Sequence, residues 1–373
     1  MQAPTFTDVL AAQKNIAPHL PRTPLFNYPA LDRATGMELY VKHENYHPIG
    51  AFKVRGGINL ISQLPADECR RGVIAASTGN HGQSIAYAAR LFGVPATIVV
   101  PEAANEVKVQ AMDALGATIV HHGADFDAAR EHCEALAQAR QLRYVHSGNE
   151  PHLIAGVGTH TLEIMQVEPH TQTVIVPIGG GSGAAGACIA AKAINPKVRI
   201  IGVQAATAPA AYKSWRQRAL LADTTATFAE GLATRSAFEL PQQILWELLD
   251  DFMLVSDDEM RAAIVLLLQT AKTLAEPAGA APLAAALKLP AAMRSGKIAL
   301  ILSGGNITPA QLAQVLIDGV EAGQHLGEVL AADRAHDRQA DRTVHRIAAA
   351  NPVPETEHVV GVDAEFGYAI SVG

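Results

Sequence analysis

The sequence predicts an α/β protein with two doubly wound domains of parallel strands, on three observations. Short apolar runs alternate with helical stretches along most of the chain, the pattern of repeated βα units with right-handed crossovers. Hydrophobic residues make up 49% while aromatics make up only 5%. Ala, Val, Leu and Ile carry that apolar content, as in strands buried on both faces. Several runs end directly in glycine.

The elements follow in order. Gly72–Ala76 reads as a strand leading into a helix from His81 to Phe92. Ala96–Val100 leads into Ala104–Leu115, and Ala117–Val120 into Asp127–Ala139. Thr173–Val176, Arg199–Val203 and Lys297–Leu302 read as further buried strands. The three units in residues 72–148 are expected to form a small mobile domain. Residues 1–71 and 149–325 then build a larger one around it. From 326 to 373 the pattern fades into charge and prolines (Pro352, Pro354), which reads as an appended tail.

The 373 residues carry a net charge of −7, which gives no electrostatic footprint for nucleic acid. No apolar run approaches the roughly 18 residues that span a bilayer. Met1–Leu10 lacks the basic-then-apolar pattern of a secretory signal. Cys69, Cys133 and Cys188 are odd in number and scattered, unlike a disulfide framework or zinc site. The expectation is a soluble cytoplasmic protein with no nucleic-acid or membrane partner.

Four segments carry chemistry. In Gly50-Ala51-Phe52-Lys53-Val54-Arg55-Gly56 a lysine sits in a permissive loop between glycines. A lysine nucleophile must be neutral, and burial beside a second cation, here Arg55, lowers its pKa. Alone, the stretch reads as an ordinary surface loop. Ser77-Thr78-Gly79-Asn80-His81-Gly82 follows a strand and opens a helix, where N–H groups and the dipole favour a carboxylate or phosphate; an ordinary capped helix is the alternative. Val174–Ile178 runs into Gly179-Gly180-Gly181-Ser182-Gly183 and a small-residue helix, Ala184–Ala193. Consecutive glycines let several amides face one phosphate. No acidic residue follows Val203, as a dinucleotide site needs, and no Gly-Lys-Ser/Thr of a Walker loop is present. Finally, Ala299–Leu302 ends in Ser303-Gly304-Gly305-Asn306. A serine there can bond a ring nitrogen without adding charge.

In this order, with Arg22-Thr23-Pro24-Leu25, Ile154–Thr159 and Glu276–Ala280, the segments resemble the fold-type II pyridoxal-phosphate enzymes (tryptophan synthase beta-like). The similarity is to the threonine dehydratase and serine racemase group, over about residues 23–314. The resemblance implies two α/β domains with the active site between them, pyridoxal 5′-phosphate as cofactor, and a homodimer or homotetramer. It implies Lys53 as the Schiff-base lysine and α-proton base, with Phe52 packed on the ring. Asn80 would bond the phenolic oxygen, and Ser77, Thr78, Gly79, Asn80 and His81 would receive the substrate carboxylate. Gly179, Gly180, Gly181, Ser182 and Gly183 would hold the phosphate, and Ser303 would face the pyridine nitrogen.

The implied reaction is α,β-elimination from a 3-hydroxy-L-amino acid, giving a 2-oxo acid and ammonia. Cysteine and threonine synthases usually carry Asp after the lysine, so Val54 favours the dehydratase branch. Thr78 stands where racemases carry a hydroxyl and dehydratases an alanine, which leaves racemisation open. Metal-dependent relatives place carboxylates after the strand ending at Val203. Gln204, Ala208 and Ala210 stand there, too little charge for a divalent cation, so no metal is expected. Gly148 replaces a bulkier residue of relatives, read either as a neutral loop change or as a pocket widened for phenylserine. His47 and Ala51 depart from the common residues too, and weigh against strict threonine specificity. A regulatory domain needs roughly 70 or more residues, more than the tail offers. The rival readings are β-replacement and a catalytically silent amino-acid sensor.

Overall fold

The computed structural model describes residues 1–318; the expected tail (326–373) and the last residues of the large segment lie outside them. Among the described residues ten strands form two sheets: β1 (Leu25–Asn27), β2 (Glu38–His43), β3 (Val73–Ala76), β4 (Ala96–Val100), β5 (Thr118–His121), β6 (Arg143–Tyr144), β7 (Thr171–Pro177), β8 (Arg199–Ala205), β9 (Asp251–Val255) and β10 (Lys297–Leu302). The larger sheet runs β1-β2-β10-β7-β8-β9, and the smaller runs β5-β4-β3-β6. All pairs are parallel except β1 with β2. The described residues fall within one compact unit.

The six strands expected from apolar runs are present, displaced by at most two residues at either end. Of the other four, β9 carries a short apolar run, Phe252–Val255, that the sequence reading passes over, and three lack that signal. β2 carries Lys42 and His43, both buried charged or polar groups, which interrupt its apolar run. β1 is an edge strand with exposed residues, and β6 has only two residues.

The central strands fix the site. In β3 every residue is buried, and in β10 all but the first. Their carboxyl ends lead to Ser77 and Ser303. In parallel sheets ligands bind beyond those ends, where adjacent connections part. Helix packing sets the rest. The helices Lys53–Ile61, Pro151–Val167 and Ser182–Ile194 touch backbone to backbone. A Cβ on Gly158 would stand 2.9 Å from the Gly186 carbonyl, and one on Gly156 would stand 2.7 Å from that of Arg55. Small residues therefore hold the lysine helix and the glycine-loop helix at a close, fixed distance.

Behind them lies a buried ionic cluster. The Arg55 guanidinium donates to both Glu44 oxygens at 2.7 and 2.9 Å and to both Glu163 oxygens at 2.7 and 2.8 Å. Lys42 Nζ donates to Glu163 at 2.6 Å and to the Thr23 carbonyl at 2.7 Å. Two cations face two carboxylates, so the cluster is neutral. Burial opposes ionisation of Glu44, but the Arg55 charge and the His47 contact hold its carboxyl well below the usual range.

Candidate active site

A cavity of about 400 Å³ opens where the carboxyl ends of both sheets meet, within the usual size for small-molecule sites. It is lined by Phe52, Lys53, Ser77, Thr78, Gly79, Asn80 and His81, by Gly179, Gly180, Gly181, Ser182 and Gly183, and by Ser303. The residues expected to bind cofactor or substrate thus line one cavity.

Lys53 is the first residue of its helix, not part of a loop. The segment before it is fastened to the end of β10. Ala51 bridges Gly304, Phe52 N–H donates to the Ser303 carbonyl at 2.9 Å, and Gly305 N–H donates to Gly50. Lys53 Nζ donates to Ser182 Oγ at 2.8 Å and to the Ser147 carbonyl at 3.1 Å. Burial lowers its pKa to about 8. The expected contribution of Arg55 is not present. Arg55 is turned into the ionic cluster, because residues two apart on a helix do not share a face.

The glycine loop takes its shape from Gly181, whose φ of +88° places it in the left-handed region that glycine enters at no steric cost. It caps the helix Ser182–Ile194, whose first N–H groups have no intrahelical partner. A Cβ on Gly183 would stand 3.0 Å from Phe52, and one on Gly179 would collide with the Gly231 carbonyl. The run is a backbone cradle that side chains would fill, opposite a buried amine. That donor set fits an aldehyde-bearing cofactor with a phosphate arm.

At the mouth of the Asn80 helix (Asn80–Phe92), Ser77 Oγ accepts from Gly79 N–H at 3.2 Å and Gly82 N–H at 2.9 Å. Asn80 is held on both sides of its amide. Its Nδ2 donates to Glu276 at 2.8 Å, and its Oδ1 accepts from Asn306 Nδ2 at 2.7 Å. Burial raises the Glu276 carboxyl to about 7. The His81 ring lies against the Val145 carbonyl at 3.1 Å, with its Nε2 as donor. Burial and the Lys53 charge push it down to about 3, so it is neutral and its side chain is committed away from any carboxylate. What it offers the helix mouth is its backbone N–H.

Of the two readings the sequence leaves for the loop after β6, its geometry opposes the widened pocket. His146 Nδ1 accepts from the N–H groups of Gly148 and Asn149 at 3.0 and 2.9 Å, which sets its remaining proton on Nε2. Burial lowers its pKa to about 4. Gly148 does not widen the cavity as the phenylserine reading requires. Phe238 occupies that space, so a Cβ at 148 would collide with its ring. His47 and Ala51, expected to bear on specificity, are buried outside the lining. Beyond β8, Gln204 Oε1 accepts from Tyr212 N–H at 3.0 Å. Among the described residues no three His, Cys, Asp or Glu side chains converge as a metal site would need, and no helix is long and apolar enough to cross a membrane.

A family model for the pyridoxal-phosphate dependent enzymes matches residues 16–304. An L-threonine ammonia-lyase of Thermotoga maritima is 39% identical over 318 residues, covering 85% of this chain and 79% of that protein. A catabolic L-threonine dehydratase of Staphylococcus aureus is 37% identical, covering 84% and 92%. Among solved structures, maize serine racemase superposes with a TM-score of 0.80 at 33% identity, over 87% of this chain and all of the other. The processed form of threonine deaminase isoform 2 from Solanum lycopersicum gives 0.78 at 31% identity, over 84% and 91%.

Proposed function

Because the chain belongs to the pyridoxal-phosphate dependent enzyme family, we propose that it dehydrates small 3-hydroxy-L-amino acids, threonine and serine first, to 2-oxo acids and ammonia. One observation carries this reading. A buried, readily deprotonated amine, Lys53 Nζ, is hydrogen-bonded between Ser147 and Ser182 beside a glycine cradle. The names of the relatives, threonine ammonia-lyases and dehydratases, support the same substrate class.

Pyridoxal phosphate, when bound, supplies the carbonyl that Lys53 and then the substrate amine engage, and the electron sink for charge at Cα. The amides of Gly179–Gly183 would hold its phosphate, Asn80 its phenolic oxygen and Ser303 its ring nitrogen, and Phe52 would pack on the ring. Lys53 takes the proton from Cα as general base. The partners that hold its nitrogen now, Ser182 Oγ and the Ser147 carbonyl, keep it in place for that transfer. The mouth of the Asn80 helix, with the backbone N–H groups of Thr78 to His81 and the Ser77 hydroxyl, receives the substrate carboxylate. The Cβ–O bond then breaks and the hydroxyl leaves as water, taking up one proton in exchange for the one Lys53 removed from Cα, so that the elimination balances as loss of water. The resulting enamine takes up water and releases ammonia, so the net change is loss of ammonia and formation of a 2-oxo acid.

The residues 72–148, carrying the smaller sheet, act in this reading as a mobile domain that closes on the substrate. Its supports are exposed ion pairs at the cavity mouth, Lys108 with Glu230 and Arg235 with Asp127. A cytoplasmic homodimer or homotetramer completes the proposal.

The test is direct. Purified protein loaded with pyridoxal phosphate, given threonine and no added nucleophile, should release 2-oxobutanoate and ammonia in equal amounts. Lys53→Ala should abolish release while the protein stays folded. Release undiminished in that variant, or threonine consumed only when a nucleophile is added, would overturn the assignment.

A further inference from the structure

We infer that Phe238 sets the size of substrate side chain this enzyme accepts, closing the space that Gly148 and Gly180 leave beside the reacting amine. The inference rests on the dehydratase reading above and narrows its substrate class to small 3-hydroxy amino acids.

Three observations place the ring. A Cβ at Gly148 would collide with Phe238 Cδ2 and lie 3.2 Å from Cε2, and one at Gly180 would lie 2.5 Å from Cδ2. One ring edge therefore covers two backbone positions from separate loops. His146 meets the same ring edge to face, with centroids 4.7 Å apart at 80°, a favourable aromatic geometry. Asn149 Oδ1 accepts from Leu240 N–H at 3.1 Å, which ties the loop carrying Gly148 to the chain just after Phe238.

The ring is also close to the chemistry. Gly148 directly follows Ser147, and Gly180 lies two residues before Ser182, the two groups that hold Lys53 Nζ. Phe238 itself lines the cavity and is only partly buried. It therefore presents an apolar wall to whatever side chain sits above Lys53. A methyl or hydrogen at Cβ fits against that wall, and a phenyl needs the volume that the ring already fills. Overfilling a packed site is costly, and one methylene in an apolar pocket changes selectivity by about 10–200-fold.

The experiment compares wild type with Phe238→Ala, with Phe238→Leu as a second variant should the first fold poorly. The ratio of kcat/KM for phenylserine over threonine should rise at least about tenfold. L-Phenylalanine, which has no hydroxyl to lose, should perturb the visible absorbance of the bound cofactor at lower concentration in the variant. Gly148→Ala should lower Tm in the wild-type background and not in the Phe238→Ala background. An unchanged ratio with threonine turnover retained, or an equal loss of Tm in both backgrounds, would overturn the inference. Failure of the wild type to dehydrate any 3-hydroxy amino acid would instead defeat the functional reading, and the Tm comparison would still judge the packing.

Discussion

Lys53 and Ser182 share a hydrogen bond of 2.8 Å, joining the first residues of two helices that the sequence separates widely. The bond couples the amine to the glycine cradle, so the nucleophile and the anion-binding amides are fixed by one contact.

Burial of Lys53 lowers its pKa to about 8, from an ordinary value near 10.4. Capture of pyridoxal phosphate by the cofactor-free protein needs the neutral amine. Its rate, followed by the visible absorbance of the lysine-bound cofactor, should rise with pH and reach half its maximum near 8. A midpoint beyond about pH 10 would show a solvated lysine.

Glu276 titrates in the opposite sense for a carboxyl, being raised from 4.5 to about 7 by burial. Between those values the native state holds a proton that the unfolded chain lacks. Stability of the cofactor-free protein should therefore fall as pH rises through that window, by about 3 kcal/mol at full titration. Glu276→Gln keeps an oxygen for the Asn80 amide and should remove this slope, so that it is more stable than wild type above about pH 7 and equal to it near pH 4. Denaturant midpoints at both pH values measure the difference.

The ionic cluster gives a stability prediction. Arg55→Ala would leave Glu44 and Glu163 buried without their principal partner. Removing one side of such a pair costs about 3–5 kcal/mol. Thermal unfolding should show a drop of several degrees, with the visible cofactor spectrum altered as well, because Arg55 is two residues from Lys53 on one helix.

Gly50 should tolerate no side chain. Its φ is +66°, and a Cβ there would stand 2.6 Å from Asn306 Oδ1. Since Asn306 donates to Asn80, Gly50→Ala should weaken cofactor retention and cost more than the ~1 kcal/mol of a strained backbone alone. Equilibrium dialysis of the cofactor, set beside Tm, separates the two effects.

The sequence exposes those parts of the site that are local. Gly179–Gly183, Ser77–Asn80 and Ser303 each follow a buried strand, and apolar runs ending in glycine or serine mark such turns. Lys53 stands out by its motif, but the sequence misplaces its surroundings. The side chain two residues on, Arg55, belongs to another face of the helix and neutralises distant carboxylates. Phe238, Glu276 and Asn306 act through contacts made across long stretches of chain, and no spacing along the sequence reports those. Gly148 shows the same limit, because the residue that fills its space lies far along the chain. β2 is hidden because Lys42 and His43, buried and partnered by Glu163 and Tyr28, look like surface residues until their partners are known.

The pairing of Ala51 with Gly304 bears on how the protein is made. The ribosome delivers the lysine segment early and its β10 partner late, and contacts so distant in sequence close slowly. Until residue 304 has emerged, nothing pins Phe52 and Lys53 against Ser303. A nascent or truncated chain ending before β10 should therefore bind no cofactor, and synthesis itself imposes the order: polypeptide first, pocket second, pyridoxal phosphate last.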